Sequence, residues 1–385
     1  MRIKREWDFY VNLLKWGMSY PVSSSRKKIQ IMRDYLRLYR QKGITTDEYY
    51  EFSFETQTEE FRHDFLGLNE ERYYLDYLNP RKFYILARNK FMAHEILKNR
   101  GIRKSELYCF YEPEGSVNGD LIASSVAGVC RILQQKNVQK CVVKAAENSH
   151  GDNVIVINGI DYQEDDAVLN LFNGAQLLMS DMLKDSPILF EQVLVQTEQM
   201  ASLNASSVNT VRFMTALYPD GDVRIVATFI KIGRKGRCVD NAGAGGNVDA
   251  CIDTATGTLQ YAIQYDGPRN FHDIDTHPDS GTILNGVKIA HWEKIVEEVK
   301  EFQRRFPYIK AAGWDIAITD AGPVVVEVND LWDRTGQCFI RRGWRPEIRD
   351  CFMAWQKTGK KYYMGRYKNA LPTKMLEEIA EKEFR

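Results

Sequence analysis

Apolar residues recur at two different spacings along the chain, and the spacing changes near residue 100. From about residue 5 to 80, leucines and aromatic residues fall three or four positions apart among many Lys, Arg and Glu residues, a pattern that predicts amphipathic helices. Basic helices of this kind also occur on membrane surfaces, but such a stripe more often faces a protein core. Another helix is predicted over residues 90–98, ending before Gly101. The first part of the chain is therefore expected to form an N-terminal helical subdomain.

Runs of β-branched residues replace the helical pattern after residue 100. Short polar segments that contain Gly, Pro, Asn or Asp separate them, as expected for hairpins. A helix with apolar residues three and four apart is expected to pack on the resulting sheet. Hairpins combined with segregated helices predict an α+β fold, and no G-x-G-x-x-G or G-K-[ST] sequence indicates a doubly wound or Walker-type alternative. The predicted strands cover residues 142–144, 154–157, 188–194, 210–214 and 223–229, with a flexible hairpin tip at 147–152, a turn at 219–222 and the helix at 289–306.

The last predicted hairpin places polar side chains inside apolar strands. Residues 313–318 and 324–329 form its two strands, and Gly and Pro residues between them mark the turn. A turn centred near Ala321 sets Asp315 opposite Glu327, and two buried carboxylates that face each other require a compensating cation. Glu327 and Asn329 share a face, so with Asp315 they offer three oxygen ligands of the kind that Mg²⁺ prefers. The alternative is a surface hairpin with these side chains in water, which the apolar neighbours of Asp315 disfavour.

Composition indicates the class of protein and its compartment. The 385 residues are 44% hydrophobic and 27% charged, which is typical of a soluble globular chain with two or three subdomains. The 52 Lys and Arg residues equal the 52 Asp and Glu residues, so no net field favours nucleic acid or an anionic membrane as the main partner. The seven scattered cysteines form no C-x-x-C pair, and neither a signal peptide nor a transmembrane run is recognisable. These observations predict a reduced, cytoplasmic protein that acts on small molecules as a monomer or homodimer.

Several polar residues that precede the last hairpin suit an adenine nucleotide. Lys144 ends an apolar strand just before a small loop, where an ammonium group and backbone amides reach phosphate. The backbone of residues 191–194 is suited to contact an adenine edge, and Glu198 to hold ribose hydroxyls. Arg212 offers a planar guanidinium for phosphate or for a developing anionic centre. Taken one at a time, solvated side chains or a structural ion pair explain these residues at least as well.

The order of these segments resembles the ATP-grasp superfamily, and most closely its sugar-transfer associated branch. The resemblance extends from about Asn89 to Gln337, about two thirds of the 385 residues. Three positions depart from the family pattern: Asn89 replaces the usual aspartate, Gly151 is the single glycine of the phosphate loop, and Lys231 stands where arginine is common. The motifs that carry the resemblance are the segment from Ser206 to Arg212, Val239-Asp240-Asn241 followed by Gly245-Gly246, and Gly313-Trp-Asp315 with Gly322-Pro and Glu327-Val-Asn329.

This resemblance implies an ATP-grasp fold, in which two α+β subdomains sandwich ATP, with ATP and Mg²⁺ as cofactors. The implied ATP ligands are Lys90, Lys144, Ser149, His150, Gly151, Glu191, Gln192, Val193, Leu194 and Glu198, and the implied Mg²⁺ ligands are Asp315, Glu327 and Asn329. Arg212 and Lys231 are the implied catalytic residues. The implied substrate-binding residues are Ser206, Asn209, Asp240, Asn241, Gly245, Gly246, Asp333 and Arg334. The implied domains are an N-terminal helical subdomain (1–80), an N-lobe with the mobile lid hairpin (81–190), a C-lobe with the metal-binding hairpin (191–345) and a C-terminal helical tail (346–385).

The activity that the resemblance implies is that of an ATP-dependent carboxylate–amine ligase. ATP phosphorylates a carboxylate, an amine attacks the acyl phosphate, and ADP and phosphate are released. The acid is expected to be an amino acid or another small acid, and the amine an amino sugar or another small amine of saccharide metabolism. A nucleic-acid partner is not expected. Two alternatives remain open: an ATP-grasp kinase that phosphorylates a hydroxyl, and a nucleotide-binding module without catalysis.

Overall fold

The computed structural model describes residues 2–115, 119–147, 154–238, 240 and 248–359. Two compact units are formed, one from the segments up to Leu78 and from Asp333 onwards, the other from Asn79 to Trp332. The helices in chain order are α1 (Arg2–Ser19), α2 (Ser25–Lys42), α3 (Thr46–Glu51), α4 (Glu59–Asp64), α5 (Leu68–Leu78), α6 (Ile85–Arg88), α7 (Lys90–Asn99), α8 (Val126–Gln135), α9 (Met179–Met182), α10 (Glu198–Leu203), α11 (Trp292–Arg305), α12 (Gly336–Phe339) and α13 (Arg345–Gln356), with short 3₁₀ turns at Phe54–Thr56 and Arg81–Phe83.

The first unit is helical, as the spacing of its apolar residues predicts. Side chains cap the N-termini of two of its helices. Ser24 accepts a hydrogen bond from the backbone of Lys27 at the start of α2, and Thr45 and Glu48 form a capping box at α3. Its interior is largely aromatic, with the rings of Tyr35, Tyr49, Phe52, Phe54 and Phe65 all buried. Among the described residues, no helix is both long and apolar enough to cross a membrane.

Residues 333–359 belong to this helical unit, whereas the sequence analysis placed residues 333–345 in the C-lobe. Two polar contacts explain the grouping. The side-chain amide of Gln337 bonds to both backbone groups of Leu66, and Arg345 pairs with the buried Glu70 at 2.7 Å. The expected boundary between two lobes within residues 81–345 stays a prediction.

The second unit contains two seven-stranded sheets, which confirms the α+β prediction. The first sheet has the strand order β2-β1-β7-β3-β4-β5-β6 and the second the order β12-β11-β10-β9-β8-β13-β14. Only β1 and β2 pair in parallel among these described strands. The strands in chain order are β1 (Leu107–Tyr111), β2 (Ile122–Ala123), β3 (Cys141–Ala145), β4 (Ile155–Tyr162), β5 (Ala167–Leu171), β6 (Gln176–Leu178), β7 (Ile188–Glu191), β8 (Thr210–Leu217), β9 (Val223–Ile232), β10 (Val248–Ile252), β11 (Leu259–Tyr265), β12 (Phe271–Ile274), β13 (Ala311–Thr319) and β14 (Gly322–Asn329).

The predicted strand pairs β3–β4, β8–β9 and β13–β14 are all present. The strand predicted over residues 188–194 ends earlier, at Glu191, which lies opposite Leu107, the first residue of the neighbouring strand β1. Helix α11 begins at Trp292 rather than at residue 289, since His291 has a left-handed backbone with φ 56°.

The apolar stripe of α11 packs on the second sheet, as predicted. Trp292, Ile295 and Val299 are buried in one cluster with residues of β8 and β13. Trp292 stacks on Phe213 with 5.3 Å between ring centroids. The indole of Trp314 donates to the Thr215 hydroxyl at 3.0 Å, which satisfies its one polar group inside the core. The sheet that carries Asp315 is therefore a buried one, and the alternative of a surface hairpin is excluded.

A tight contact in the helical unit gives a first prediction. A Cβ atom on Gly343 would meet the backbone of Asp64 and Phe65 at 2.0–2.4 Å, and backbone atoms cannot swing away as a side chain can. We expect Gly343→Ala to lower the free energy of unfolding by about 3 kcal/mol, the upper end of the usual cost of overpacking. Urea denaturation followed by circular dichroism measures this. Gly119→Ala is the control, because a Cβ there meets nothing within 4 Å; equal losses in both variants would contradict the contact.

Candidate active site

The buried carboxylate of Asp315 is held by two cations from neighbouring strands. Register places Arg212 of β8 directly opposite Asp315, and Thr210 of β8 opposite Lys231 of β9. Arg212 Nε and Nη2 lie 2.6 and 2.9 Å from the two carboxylate oxygens of Asp315, and Lys231 Nζ lies 3.1 Å from Oδ2. The chain itself thus supplies the cation that the sequence required for Asp315.

The charges of these residues shift one another's protonation. Burial alone would raise the pKa of Asp315, but the nearby charges of Arg212 and Lys231 outweigh it and lower the pKa. Burial would lower the pKa of Lys231, but Asp315, and then Asp240, raise it instead. Burial raises the pKa of Asp240, although Lys231 opposes that shift. Asp315 and Lys231 are therefore a fully charged pair at neutral pH.

Glu327 faces Asp315 across the hairpin, as the sequence predicted, and is more accessible. The cross-strand pair is Asp315–Glu327, followed by a bulge in β14. The Glu327 side chain is 34% exposed, and its Oε1 lies 3.5 Å from Lys90 Nζ. Lys90 is the first residue of α7, its N–H donates to the Ala146 carbonyl, and the preceding Asn89 caps the helix. Glu327 and Lys90 are thus neighbours, although they are 237 positions apart in the sequence.

A second buried carboxylate, Glu191 at the end of β7, lies between two lysines. Lys144 of β3 donates to its Oε2 at 2.9 Å, and Lys104 Nζ lies 3.1 Å from its Oε1, close enough for an ion pair but without hydrogen-bond geometry. Burial opposes the charged form of Glu191, but the two lysines outweigh it and hold its pKa well below the usual range. Burial lowers the pKa of Lys104. At Lys144 burial has the same effect, but the charge of Glu191 outweighs it, so the pKa of Lys144 is raised.

Lys104 is a charged residue of this cluster that the sequence analysis missed. It precedes β1 in a polar segment, and its own sequence neighbourhood gives no sign of burial. The backbone forms an isolated parallel bridge to Val325, and Lys104 Nζ donates to the Val326 carbonyl at 3.2 Å. Lys104 therefore connects Glu191 of the first sheet with the residue before Glu327 in the second.

The two charge clusters form one electrostatically connected site. The pKa of Lys144, lowered by burial and raised mainly by Glu191, is raised further by Glu327 and Asp240. Asp240 in turn acts on Lys231 and Asp315. The pKa of Lys144, a residue of the first sheet, thus depends on the charges of Glu327 in the second sheet and of Asp240.

The segment predicted to contact adenine leaves the sheet after Glu191. The backbone N–H of Gln192 donates to the Glu106 carbonyl at 2.8 Å and is not available for a ligand. Val193 and Leu194 are half-buried. Glu198 is exposed at the first position of α10. Contacts of Val193, Leu194 and Glu198 with a nucleotide stay predictions.

The side chain of Asn209 is hydrogen-bonded within the protein. Its side chain is 0% exposed, and its amide nitrogen donates to the carbonyls of Met200 and Asn204, each at 2.8 Å. Its amide oxygen accepts from the Gly233 backbone at 3.3 Å. Because the polar atoms of its side chain are hydrogen-bonded inside the protein, Asn209 fixes the loop before β8, and its contact with a substrate stays a prediction.

Four other predicted substrate residues have polar partners within the protein. The Ser206 hydroxyl accepts from Gly236, and Asp240 accepts from the backbone and the hydroxyl of Thr210. Asp333 and Arg334 belong to the helical unit. The Asp333 carboxylate accepts a hydrogen bond from the backbone N–H of Thr335, and Arg334 lies 3.1 Å from Glu48 and 3.4 Å from Glu71. Their substrate contacts stay predictions. Ser149, His150, Gly151, Asn241, Gly245 and Gly246 lie outside the described residues.

The hairpin residues fit a magnesium ion through two of the three predicted ligands. The Asn329 amide nitrogen is buried and has no hydrogen-bond partner among the described residues, so this donor calls for an acceptor such as a phosphate oxygen, and only the amide oxygen of Asn329 is suited to bind a cation. Glu327 is accessible, whereas both oxygens of Asp315 already accept from Arg212 or Lys231. Within the part of the chain that is described, no three His, Cys, Asp or Glu side chains cluster around a metal position. An ion bound here would therefore rely on Glu327, Asn329, water and phosphate oxygens.

Comparisons with known proteins identify the family and similar folds. The family model described as sugar-transfer associated ATP-grasp matches residues 69–350. Similar solved structures include N5-carboxyaminoimidazole ribonucleotide synthetase from Thermotoga maritima (13% identity, TM-score 0.37, 70% of this chain and 49% of that chain), phosphoribosylamine–glycine ligase from the same organism (13%, 0.43, 82% and 65%) and D-alanine–D-alanine ligase from Bacillus anthracis (12%, 0.37, 71% and 70%). This chain spans about half the length of the first and about two thirds of the second. No curated protein matches it.

The buried position of Lys104 generates a second prediction. Lys104→Met leaves Glu191 with one lysine and the Val326 carbonyl without its donor, so we expect the free energy of unfolding to fall by about 3 kcal/mol. Urea denaturation at neutral pH measures the loss. Lys140→Met, at an exposed position just before β3, is the matched control and should change stability by less than about 0.5 kcal/mol. If the two variants are equally stable, Lys104 does not support Glu191.

The lowered pKa of Asp315 generates a third prediction, on acid stability. Because the folded pKa lies below the unfolded value of about 3.9, the ionised carboxylate adds stability that is complete above that pH and is lost as the pH falls through the folded pKa. The stability difference between wild type and Asp315→Asn should therefore be constant above pH 5 and shrink below about pH 4. Urea denaturation from pH 6 downwards measures it. Asp320→Asn, in the exposed turn of the same hairpin, is the control; a difference for Asp315→Asn that stays constant in acid would refute the shift.

Proposed function

The chain belongs to the sugar-transfer associated ATP-grasp family, and from this premise we propose that it is an ATP-dependent carboxylate–amine ligase. The observation that carries the proposal is the set of contacts that joins the two sheets: Lys104 and Lys144 lie 3.1 and 2.9 Å from Glu191, Lys104 also donates to the Val326 carbonyl, and Lys90 lies 3.5 Å from Glu327. A site with lysines on one sheet and an acidic hairpin on the other suits phosphoryl transfer, because catalysis there is mainly positioning and charge stabilisation.

In the proposed reaction, the substrate carboxylate oxygen attacks the γ-phosphorus of ATP and ADP leaves. The nitrogen of the amine then attacks the carbonyl carbon of the acyl phosphate, the carbon–oxygen bond to phosphate breaks, and an amide, phosphate and a proton are released. Lys90 and Lys144 offset the negative charge on the phosphates. Glu327 and Asn329 would hold Mg²⁺, which when bound neutralises phosphate oxygens and orients them.

Asp315 acts in this proposal through Arg212. The carboxylate binds Nε and Nη2 of the guanidinium, so the direction of the group is fixed before substrate arrives. A pre-oriented guanidinium loses little freedom when it holds the substrate carboxylate or the acyl phosphate. Lys231, bound to the same carboxylate, adds a second positive charge.

The substrates are proposed from the family description alone. It connects the family with sugar transfer, so we propose an amino acid or another small acid as the acyl donor and an amino sugar or a related small amine as the acceptor. A reducing, cytoplasmic setting is proposed because all seven cysteines are free thiols.

The activity is tested with purified protein, Mg²⁺ and ATP, using pooled amino acids and uronic acids against pooled amino sugars. We expect ADP release that needs both an acid and an amine, and a hydroxamate when hydroxylamine replaces the amine. Mass spectrometry of the product distinguishes an amide from a phosphorylated hydroxyl. A stable phosphate ester, or no hydroxamate from any acid, would overturn the ligase assignment.

The hairpin provides a fourth prediction. Glu327→Gln keeps the shape of the side chain but removes its negative charge, and we expect Mg²⁺-dependent ATP turnover to fall by about a hundredfold or more. The loss should be partly offset at raised Mg²⁺ concentration if Glu327 binds the ion. Asp320→Asn removes a charge from the turn of the same hairpin and should leave turnover unchanged. Equal turnover in the two variants would remove Glu327 from the site.

A further inference from the structure

Helices α1 and α2 expose large apolar side chains in the helical unit. Tyr10, Leu14 and Met18 lie four residues apart on α1, on one side of that helix, and are 46%, 56% and 55% exposed. Ile29 on α2 is exposed as well. Leu13, by contrast, is buried, so α1 has one apolar side in the core and another at the surface. Single exposed apolar residues are common, but a row of them on one helix is not.

The exposed apolar side chains have basic neighbours. Residues 2–42 contain eleven Lys and Arg residues and three Asp and Glu residues, although the whole chain is neutral. Arg26 and Arg33 lie three residues before and four residues after Ile29, so they flank it on the surface of α2. Lys28 donates to the Met18 carbonyl, which brings this end of α2 against the end of α1.

The cations of α2 are not neutralised within the described residues. Arg26, Lys27, Arg33 and Arg40 are exposed and form no ion pair in the described part of the chain. Arg37 is the exception, since it pairs with Asp34 at 3.0 Å. A row of solvated cations beside exposed apolar side chains calls for a partner that is both anionic and apolar.

We propose that the α1–α2 face, defined by Leu14, Met18, Ile29, Arg26 and Arg33, docks on an anionic membrane surface. Apolar side chains of such a face enter the boundary between headgroups and acyl chains, and the cations meet the lipid phosphates. The helices lie on the bilayer, because neither is apolar enough to cross it.

Other occupants fit this face less well. A second copy would bring like charges together, and residues 360–385 contain seven Lys and Arg against four Asp and Glu residues, so they do not complement its charge. Nucleic acid would neutralise the cations but would leave Leu14 and Met18 without an apolar partner. The face belongs to the helical unit, and the proposal does not rest on the ligase activity, whose residues lie in the other unit.

The fifth prediction tests this proposal by sedimentation of the full chain with vesicles. We expect the protein to bind vesicles of phosphatidylglycerol and phosphatidylcholine, to bind pure phosphatidylcholine far more weakly, and to be released by high salt. Leu14→Gln with Met18→Gln should weaken binding about tenfold. Arg26→Gln and Arg33→Gln should each weaken it about fivefold, since a basic residue near an anionic surface contributes about 1 kcal/mol.

Ile283→Gln is the control, because Ile283 is an exposed apolar residue of the other unit. Circular dichroism verifies that each variant is folded, and all substituted side chains are exposed, so the variants should melt as the wild type does. Failure of the wild type to bind anionic vesicles would overturn the proposal. So would equal binding by the Leu14/Met18 variant, a dimer that this variant dissociates in gel filtration, or tighter binding to a duplex oligonucleotide than to vesicles.

Discussion

The second sheet depends on the pairing of Asp315 with cations from neighbouring strands. Asp315 is buried in the middle of β13, where an unpaired carboxylate would cost several kcal/mol. The register of β8 sets Arg212 opposite it, and Lys231 of β9 reaches the same carboxylate. The ion pair therefore selects the register of three strands as well as the charge of the site. Residues that look catalytic in the sequence therefore also contribute to the stability of the sheet.

The same principle connects the two sheets of this unit. Glu191 ends a strand of the first sheet between Lys104 and Lys144, and Lys104 also binds the Val326 carbonyl at the edge of the second sheet. Val326 precedes Glu327, the accessible carboxylate of the hairpin. The position of Glu327 thus depends on a lysine more than 200 residues earlier in the chain. A disturbance of the Glu191 cluster is transmitted to the hairpin through backbone contacts.

The sequence predicted those features that local spacing determines. Two apolar runs on either side of a Gly-Pro turn predicted that Asp315 lies opposite Glu327, and the structure forms this pair through a bulge. The turn pairs Thr319 with Gly322, and the extra residue between Val325 and Glu327 brings Glu327 opposite Asp315. Lys104 could not be found in this way, since its burial comes from a bridge to Val325 that no local pattern encodes. Asn209 was assigned to substrate for its place in a motif, but the loop carbonyls of Met200 and Asn204 satisfy its amide. Total charge describes the chain as a whole, and its neutral sum includes the basic segment of helices α1 and α2.

The charge balance of the site explains why it suits an anion. Lys90, Lys104, Lys144, Arg212 and Lys231 outnumber the carboxylates of Glu191, Glu327, Asp315 and Asp240 by one. Burial lowers the pKa of Lys104, and Glu191 opposes this shift. The positive charge of Lys144 lowers the pKa further, because the two lysines repel each other across the carboxylate that they share. A phosphate bound beside Lys144 would screen that repulsion and favour the charged form of both lysines. In the proposed function, nucleotide binding would therefore be coupled to the stability of the Glu191 cluster, because each anion reduces the cost of keeping buried cations close together.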